Sequence, residues 1–398
     1  MKGKFSFEDV KKILISEGAK IELKNLDGEL VADKASLPFK VAEEYLYRFG
    51  EAEEICSVLR ELKNMSFGSL ISVLNINAAS NAIYASNDAG SNYYFATSIV
   101  PKENMEMIEK HYDKVLESGN GNYIMDVTQE YILLGREDKF ELCQQSLLEA
   151  NCSPVLYYRF AKKYENSNIK ALGQKVIDTK DLEYIVKFAG LVGADFKAHE
   201  QAILEEKNPA YCLMFAEYYP NANVHAHQQV IMELGNLWQI RDFAVNVENA
   251  DIAPLQEIIL WRGGPEHVKD FAMCVKGADI PALQQRIIGS REPYACYQFA
   301  LDVKGADVNA LAKVVLDSKD PQINYEFARY IKNADKMAHA KVVWESGDEA
   351  IITAFNCYIK DFSIKKVFGK EEEKNHHIKI KEMKKEIEDS KQRETKTI

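Results

Sequence analysis

The chain has 398 residues, 46% hydrophobic and 28% charged, with a formal net charge of −11 and a pI near 5.4. That acidity argues against sequence-independent nucleic-acid binding, which needs excess Lys and Arg to neutralise phosphates, and no apolar run is long enough for a transmembrane helix. The N-terminus lacks the apolar core and cleavage site of a secretory signal, and seven cysteines without a CxxC spacing read as reduced, buried thiols, so the expected location is cytoplasmic with no membrane contact.

Residues 1–37 predict a helix near 6–17 and then IELKNLDGELVADK, where Asp27-Gly28 between apolar-alternating runs signals a β-hairpin. They read as a small α+β cap. Residues 38–64 read as a helix pair, PFKVAEEYLYRFG and EAEEICSVLRELKN. Degenerate helical repeats then extend to about residue 150. There Phe95-Ala96, preceded by Tyr93 and Tyr94, resembles the start of a repeat's first helix, and Ser86-Asn87-Asp88 and Ser118-Gly119-Asn120 resemble repeat-closing corners.

From 151 to 368 the repeat is regular. Phe160, Phe188, Phe215, Phe243, Phe271, Phe299, Phe327 and Phe355 recur at a 28-residue period, broken once by a step of 27. A second anchor follows in most copies: Gly193-Ala194-Asp195, Asn221-Ala222-Asn223, Asn249-Ala250-Asp251, Gly277-Ala278-Asp279, Gly305-Ala306-Asp307 and Asn333-Ala334-Asp335. The Gly or Asn suits a left-handed residue ending helix A, and the Asp or Asn suits an N-cap of helix B. A polar corner such as Ser318-Lys319-Asp320 closes the unit, with Pro209, Pro265, Pro293 and Pro321 opening the next helix A. In the unit from Pro293 to Asp320, Cys296, Phe299, Ala300 and Val303 form the apolar stripe of helix A, and Val308, Leu311, Val314 and Val315 that of helix B. Such short helices need their neighbours for stability. The expected fold is therefore all-α but for the cap, a right-handed α-solenoid of stacked helix pairs. The Lys/Glu-rich tail 369–398 reads as disorder or a lone solvated helix.

Three histidines, His199, His227 and His339, share one repeat column with Leu255, Leu283 and Leu311. Equivalent positions of adjacent hairpins lie roughly 8–10 Å apart, too far for shared metal ligation at about 2.0–2.1 Å. They read as half-buried side chains in a leucine slot. His225 points to a different face from His227, and His376-His377 belong to the tail. No nucleophile elbow, Walker loop, dinucleotide fingerprint or HExxH motif is present, and Gly263-Gly264-Pro265 falls on a closing corner. The sequence assigns no catalytic residue, cofactor or metal. The surface columns before each Phe read Asp242, Asp270, Gln298, Glu326 and Arg241, Lys269, Tyr297, Tyr325, ladders expected to face solvent and to offer a partner surface at Arg241, Asp242, Lys269, Asp270, Tyr297, Tyr325 and Glu326. Trp238, Trp261 and Trp344 are candidates for either packing or partner anchoring.

At VVLDSKDPQINYEFARYIKNAD and YQFALDVKGADVNALAKVVLDSKD the chain resembles short-period helical-hairpin repeat proteins. The likeness is loose to HEAT and tetratricopeptide solenoids, and closer in wording to uncharacterised repeat proteins of low-GC bacteria and phages. It covers about 150–365, and the period departs from the 34 residues of tetratricopeptide repeats and the longer HEAT unit. The resemblance implies an interaction scaffold. The leading expectation is a cytoplasmic, non-enzymatic scaffold holding a protein or peptide. The alternatives are a nucleic-acid-binding HEAT-like solenoid and an enzyme with its chemistry in the first 150 residues.

Overall fold

The computed structural model describes residues 5–21, 23–26, 29–32, 35–65, 72–359, 363–369, 378–383 and 385. They form a succession of helices in which chain neighbours pack against one another. The chain divides into two compact units, Met1–Ala202 and Ile203–Ile398, the division falling inside the helix Phe196–Glu206. The boundary expected near residue 150 concerns the regularity of the sequence and is a separate matter. No described helix is long and apolar enough to cross a membrane.

In the first unit, α1 (Phe7–Gly18) starts where the Ser6 side chain accepts the Asp9 N–H. Strands β1 (Leu23–Leu26) and β2 (Glu29–Ala32) pair antiparallel with Leu23 opposite Ala32 and Leu26 opposite Glu29. The Asp27-Gly28 turn lies outside the described residues. Helix α2 (Leu37–Phe49), capped by Ser36, buries Phe39, Ala42 and Leu46, and α3 (Ala52–Met65) buries Ile55, Val58, Leu59 and Leu62. After α4 (Ile76–Ala85), the helix Ala89–Tyr94 runs on through a π turn, Phe95–Ile99, closed by the Val100 N–H on the Phe95 carbonyl. Phe95 is therefore a buried residue inside a continuous helical run and not at its start, and Phe160 and Phe188 are likewise buried past the middle of their helices.

The second unit shows the hairpin at its most regular. Its A helices include Pro265–Cys274, Pro293–Asp302 and Pro321–Tyr330, each opened by the proline expected there. Its B helices include Ile252–Arg262, Ile280–Ser290 and Val308–Asp317. Phe215, Phe243, Phe271, Phe299, Phe327 and Phe355 are all 0% exposed, so the recurring Phe is the core anchor of each copy. Truncating such a side chain costs roughly 3–5 kcal/mol.

The A–B corner differs from the sequence expectation in an instructive way. Helix A ends one step earlier, on Val247, Val275, Val303 or Ile331, each extended and buried, with its N–H on the carbonyl of the Phe four residues back. The next Ala N–H (Ala250, Ala278, Ala306, Ala334) closes a β-turn onto that Val or Ile carbonyl. Gly277 and Gly305 (φ +87° and +89°) and Asn249 and Asn333 (φ +65° and +70°) are therefore the third residue of a turn, not a helix C-terminus. Asn221 is the exception and keeps a negative φ. The left-handed helix ends lie instead at the closing corners. At Ser318-Lys319-Asp320, Lys319 has φ +56°, while Ser318 Oγ donates to the Val315 carbonyl and accepts the Asp320 N–H. Ser290 and Ser346 repeat the arrangement, as do Ser86, Ser118 and Thr179 in the first unit.

A second device holds successive B helices together. Gln228 Oε1 accepts the Asp251 N–H at 2.9 Å while its Nε2 donates to the Asp251 carbonyl at 2.9 Å. Gln284 clips Asp307 in the same two-pronged way, and Gln256 Oε1 accepts the Asp279 N–H at 2.8 Å. Each of these buried amides satisfies the backbone of the next helix's N-cap, which already serves its own helix through its side chain. In the first unit Gln144 does this for Asn168, and Glu43 for Asn75.

Cys56, Cys143, Cys212 and Cys296 are buried thiols, and burial pushes Cys56, Cys143 and Cys296 up to about 11 and Cys212 to about 12. Cys152 is half-buried, and Cys274 and Cys357 are exposed, against the expectation of burial.

Candidate interaction surface

Arg241, Asp242, Lys269 and Asp270 form a ladder across neighbouring A helices of the second unit. Arg241 pairs with Asp242 on its own helix at 2.5 Å and with Asp270 on the next at 3.6 Å. Lys269 reaches Gln298 Oε1 at 3.3 Å and Asp302 at 3.1 Å, again on the next A helix. The Asp242 carboxylate holds the Arg241 guanidinium above its ordinary range. These half-buried groups therefore spend their charge on one another, each pair contributing about 0.2–1 kcal/mol.

Tyr297 and Tyr325 require a correction. They are 7% and 6% exposed, not solvent-facing. The Tyr297 ring lies 6.3 Å from Phe327 and the Tyr325 ring 6.2 Å from Phe355, so each reaches across to the core Phe of the next repeat. Burial raises the Tyr297 phenol. A tyrosine is long enough to lean into the seam between helices, whereas a helical wheel records only where its Cβ starts. The Tyr325 hydroxyl accepts from Arg329 at 2.7 Å, and the Arg329 guanidinium stacks over Tyr330 at 4.8 Å and Tyr358 at 4.4 Å. Glu326 is half-buried and accepts from Gln322 at 2.7 Å.

The solvent-facing column lies elsewhere. Two residues after each Phe, Val245, Met273 and Leu301 are 45%, 49% and 47% exposed on three successive A helices. A helix turns 100° per residue, so this position stands opposite the buried Phe. On the same faces, one helical turn before the ladder, stand Trp238 (37% exposed) and Tyr294 (55%). Trp238 is held by His267, 4.7 Å away, and by the Arg241 guanidinium at 4.8 Å. The sequence carried this signal in the same 28-residue spacing, but an apolar residue in a helix is ordinarily assigned to the core. Trp261 stands on a B helix at 81% exposure, and Trp344 is half-buried with its ring stacked on Phe368.

The histidines prove to be fully buried, not half-buried. His199 stacks on Phe188 at 5.3 Å, His227 on Phe215 at 5.3 Å and His339 on Phe327 at 4.8 Å. Each ring thus packs on the Phe of its own repeat, while His225 is exposed on the other face of its helix. His376 and His377 lie outside the described residues. Gly263 ends one helix and Gly264 caps the next, and a Cβ on Gly263 would meet the Ile259 carbonyl oxygen at 2.4 Å. Among the described residues no group of three or more His, Cys, Asp or Glu side chains is placed to hold a metal ion.

No protein family, characterised protein or solved structure matches the chain.

Proposed function

We propose that the protein is a non-enzymatic, cytoplasmic scaffold whose second unit, stacked as a right-handed α-solenoid, binds a protein or peptide along its A helices, with residues 1–37 capping the other unit. The observation that carries this reading is the exposed column Val245–Met273–Leu301. Stacked aliphatic side chains at matching heights, flanked by Trp238 and Tyr294 and bordered by a ladder that has already neutralised itself, offer apolar contact with little charge to desolvate. The half-buried ladder residues Arg241, Asp242, Lys269 and Asp270 form the rim of that surface, with Glu326 farther along it, and the buried Tyr297 and Tyr325 support it from beneath.

Affinity capture from the native host tests this, comparing the full chain with Met273→Glu, Leu301→Glu and a control, Lys313→Glu, on an exposed B-helix position. One protein recovered in stoichiometric amount should fall by roughly tenfold or more with either A-helix change, as for an interface anchor, and be unaffected by the control. Changing Arg241, Asp242, Lys269 and Asp270 to Ala should weaken capture less. Equal recovery by all variants, or recovery of nucleic acid alone that is lost at moderate salt, contradicts the reading.

A further inference from the structure

The aliphatic column of the second unit has charged ends and a charged border, and these determine what a partner must carry. The position two residues after each core Phe reads Glu217, Val245, Met273, Leu301 and Arg329 on successive A helices, all of them exposed. Three residues farther on, the A–B corners carry Glu248, Lys276, Lys304 and Lys332, exposed as well. Each of these lysines is the second residue of its corner turn. It stands between the buried Val275, Val303 or Ile331 and the left-handed Gly277, Gly305 or Asn333. A row of ammonium groups thus runs beside Met273 and Leu301, repeating with A helices that pack roughly 8–10 Å apart.

The neighbouring charges are already spent. Arg241 pairs with Asp242 and Asp270, and Lys269 with Asp302. The N-cap carboxylates at the same corners turn to their own helices: Asp279 accepts the Ala282 N–H at 3.1 Å, Asp307 the Asn309 N–H at 3.0 Å and Asp335 the Met337 N–H at 3.0 Å. Among the described residues no carboxylate pairs with Lys276, Lys304 or Lys332. Arg329 has none either; it spends one donor on the Tyr325 hydroxyl and stacks on Tyr358. The exposed carboxylates lie apart from this row. Glu217 and Glu248 stand at the Val245 end, and Glu266 stands seven residues, two helical turns, before Met273. The net charge of −11 does not cancel the row, because charges beyond a Debye length of about 8 Å are largely screened.

We propose that the partner of this surface is an acidic amphipathic segment, its aliphatic side chains on Val245, Met273 and Leu301 and its carboxylates on Lys276, Lys304, Lys332 and Arg329. This rests on the column being the docking surface, and adds the partner's charge and its direction, with the acidic stretch toward Arg329 and away from Glu217. The apolar contact supplies affinity, and the charges along one border fix register.

Fluorescence anisotropy with two labelled synthetic peptides tests it. Both are amphipathic with the same leucines; one has glutamate and the other lysine at the flanking polar positions. The full chain should bind the glutamate peptide roughly tenfold or more tighter than the lysine peptide, against the preference its net charge alone would give. Lys276→Glu/Lys304→Glu/Lys332→Glu should weaken the glutamate peptide by roughly tenfold or more and strengthen the lysine peptide. Met273→Ser should weaken both peptides, and Lys313→Glu neither. All four lysines are exposed, so thermal melts should stay in place. A lysine peptide bound as tightly as the glutamate peptide, indifference of the glutamate peptide to the triple reversal, or no binding of either peptide overturns the acidic partner. If Met273→Ser still weakens binding in the first two cases, the column survives as a docking surface with a partner of different charge. Binding indifferent to Met273→Ser removes the column itself.

Discussion

His339 shows how this fold keeps a titratable ring neutral inside its core. Asn324 Nδ2 donates to the Val315 and Asp320 carbonyls, which leaves Oδ1 to accept from His339 Nδ1 at 2.7 Å. The remaining nitrogen, Nε2, is buried without a hydrogen-bond partner. Protonating it would bury a charge, so burial lowers His339 from its ordinary 6.5 to about 4, a drop that Asp335 at the start of the same helix offsets only in part. His111, hydrogen-bonded to Asn92 and Ser80, is lowered to about 4 by the same cause. Because the unfolded chain takes up these protons first, stability is complete above about pH 6.5. It falls as the pH drops from there toward 4, by about 1.4 kcal/mol per pH unit for each ring. The repeat itself supplies the control variant, since Val268 and Leu283 occupy the Asn324 and His339 positions in another copy. Urea unfolding of His339→Leu/Asn324→Val at pH 7 and pH 5 should show an acid loss smaller than that of wild type by about 2 kcal/mol. An equal loss in both would clear His339 of the role.

At the scale of the element, the corner between helices A and B shows what local chemistry reveals and where it stops. Asp307 as N-cap and Pro293 as first helical residue were legible because each acts within three or four residues of itself. Val303 was not, since its spacing from Phe299 continues the helical stripe although its backbone is already extended. Its burial is served equally by a helix or by the turn that follows. Gly305 sits in that turn at φ +89° with nothing within 4 Å of where a Cβ would be. The cost of a side chain there is conformational, not steric. Gly305→Ala should destabilise by about 1–2 kcal/mol. Gly305→Asn should cost less, because Asn249 and Asn333 already hold the equivalent place. Thermal melts of the two variants decide it, and equal losses would mean the turn does not impose its φ. The glutamine clips belong to the same scale and escaped the sequence reading because an isolated Gln in a helix carries no signal until its partner, 23 residues on, is known.

For the molecule as a whole, the repeat period was enough to bring the A helices into ladders but not to say which column faces out. A helix flanked by neighbours on both sides buries a wider arc than the single stripe that periodicity marks. Tyr297 and Tyr325 sink into that arc, Arg241 and Lys269 lie half within it and pair, and Val245, Met273 and Leu301 are left outside. The interaction reading therefore moves from the charged rows to the aliphatic one. A photo-activatable cross-linking residue placed at Met273, and separately at Lys313, in the full chain tests it most directly. Illumination in the native host should give one discrete adduct from position 273, absent from position 313 and lost when Val245 and Leu301 are changed to Glu. Identical adducts from both positions, or none from position 273, would contradict the account.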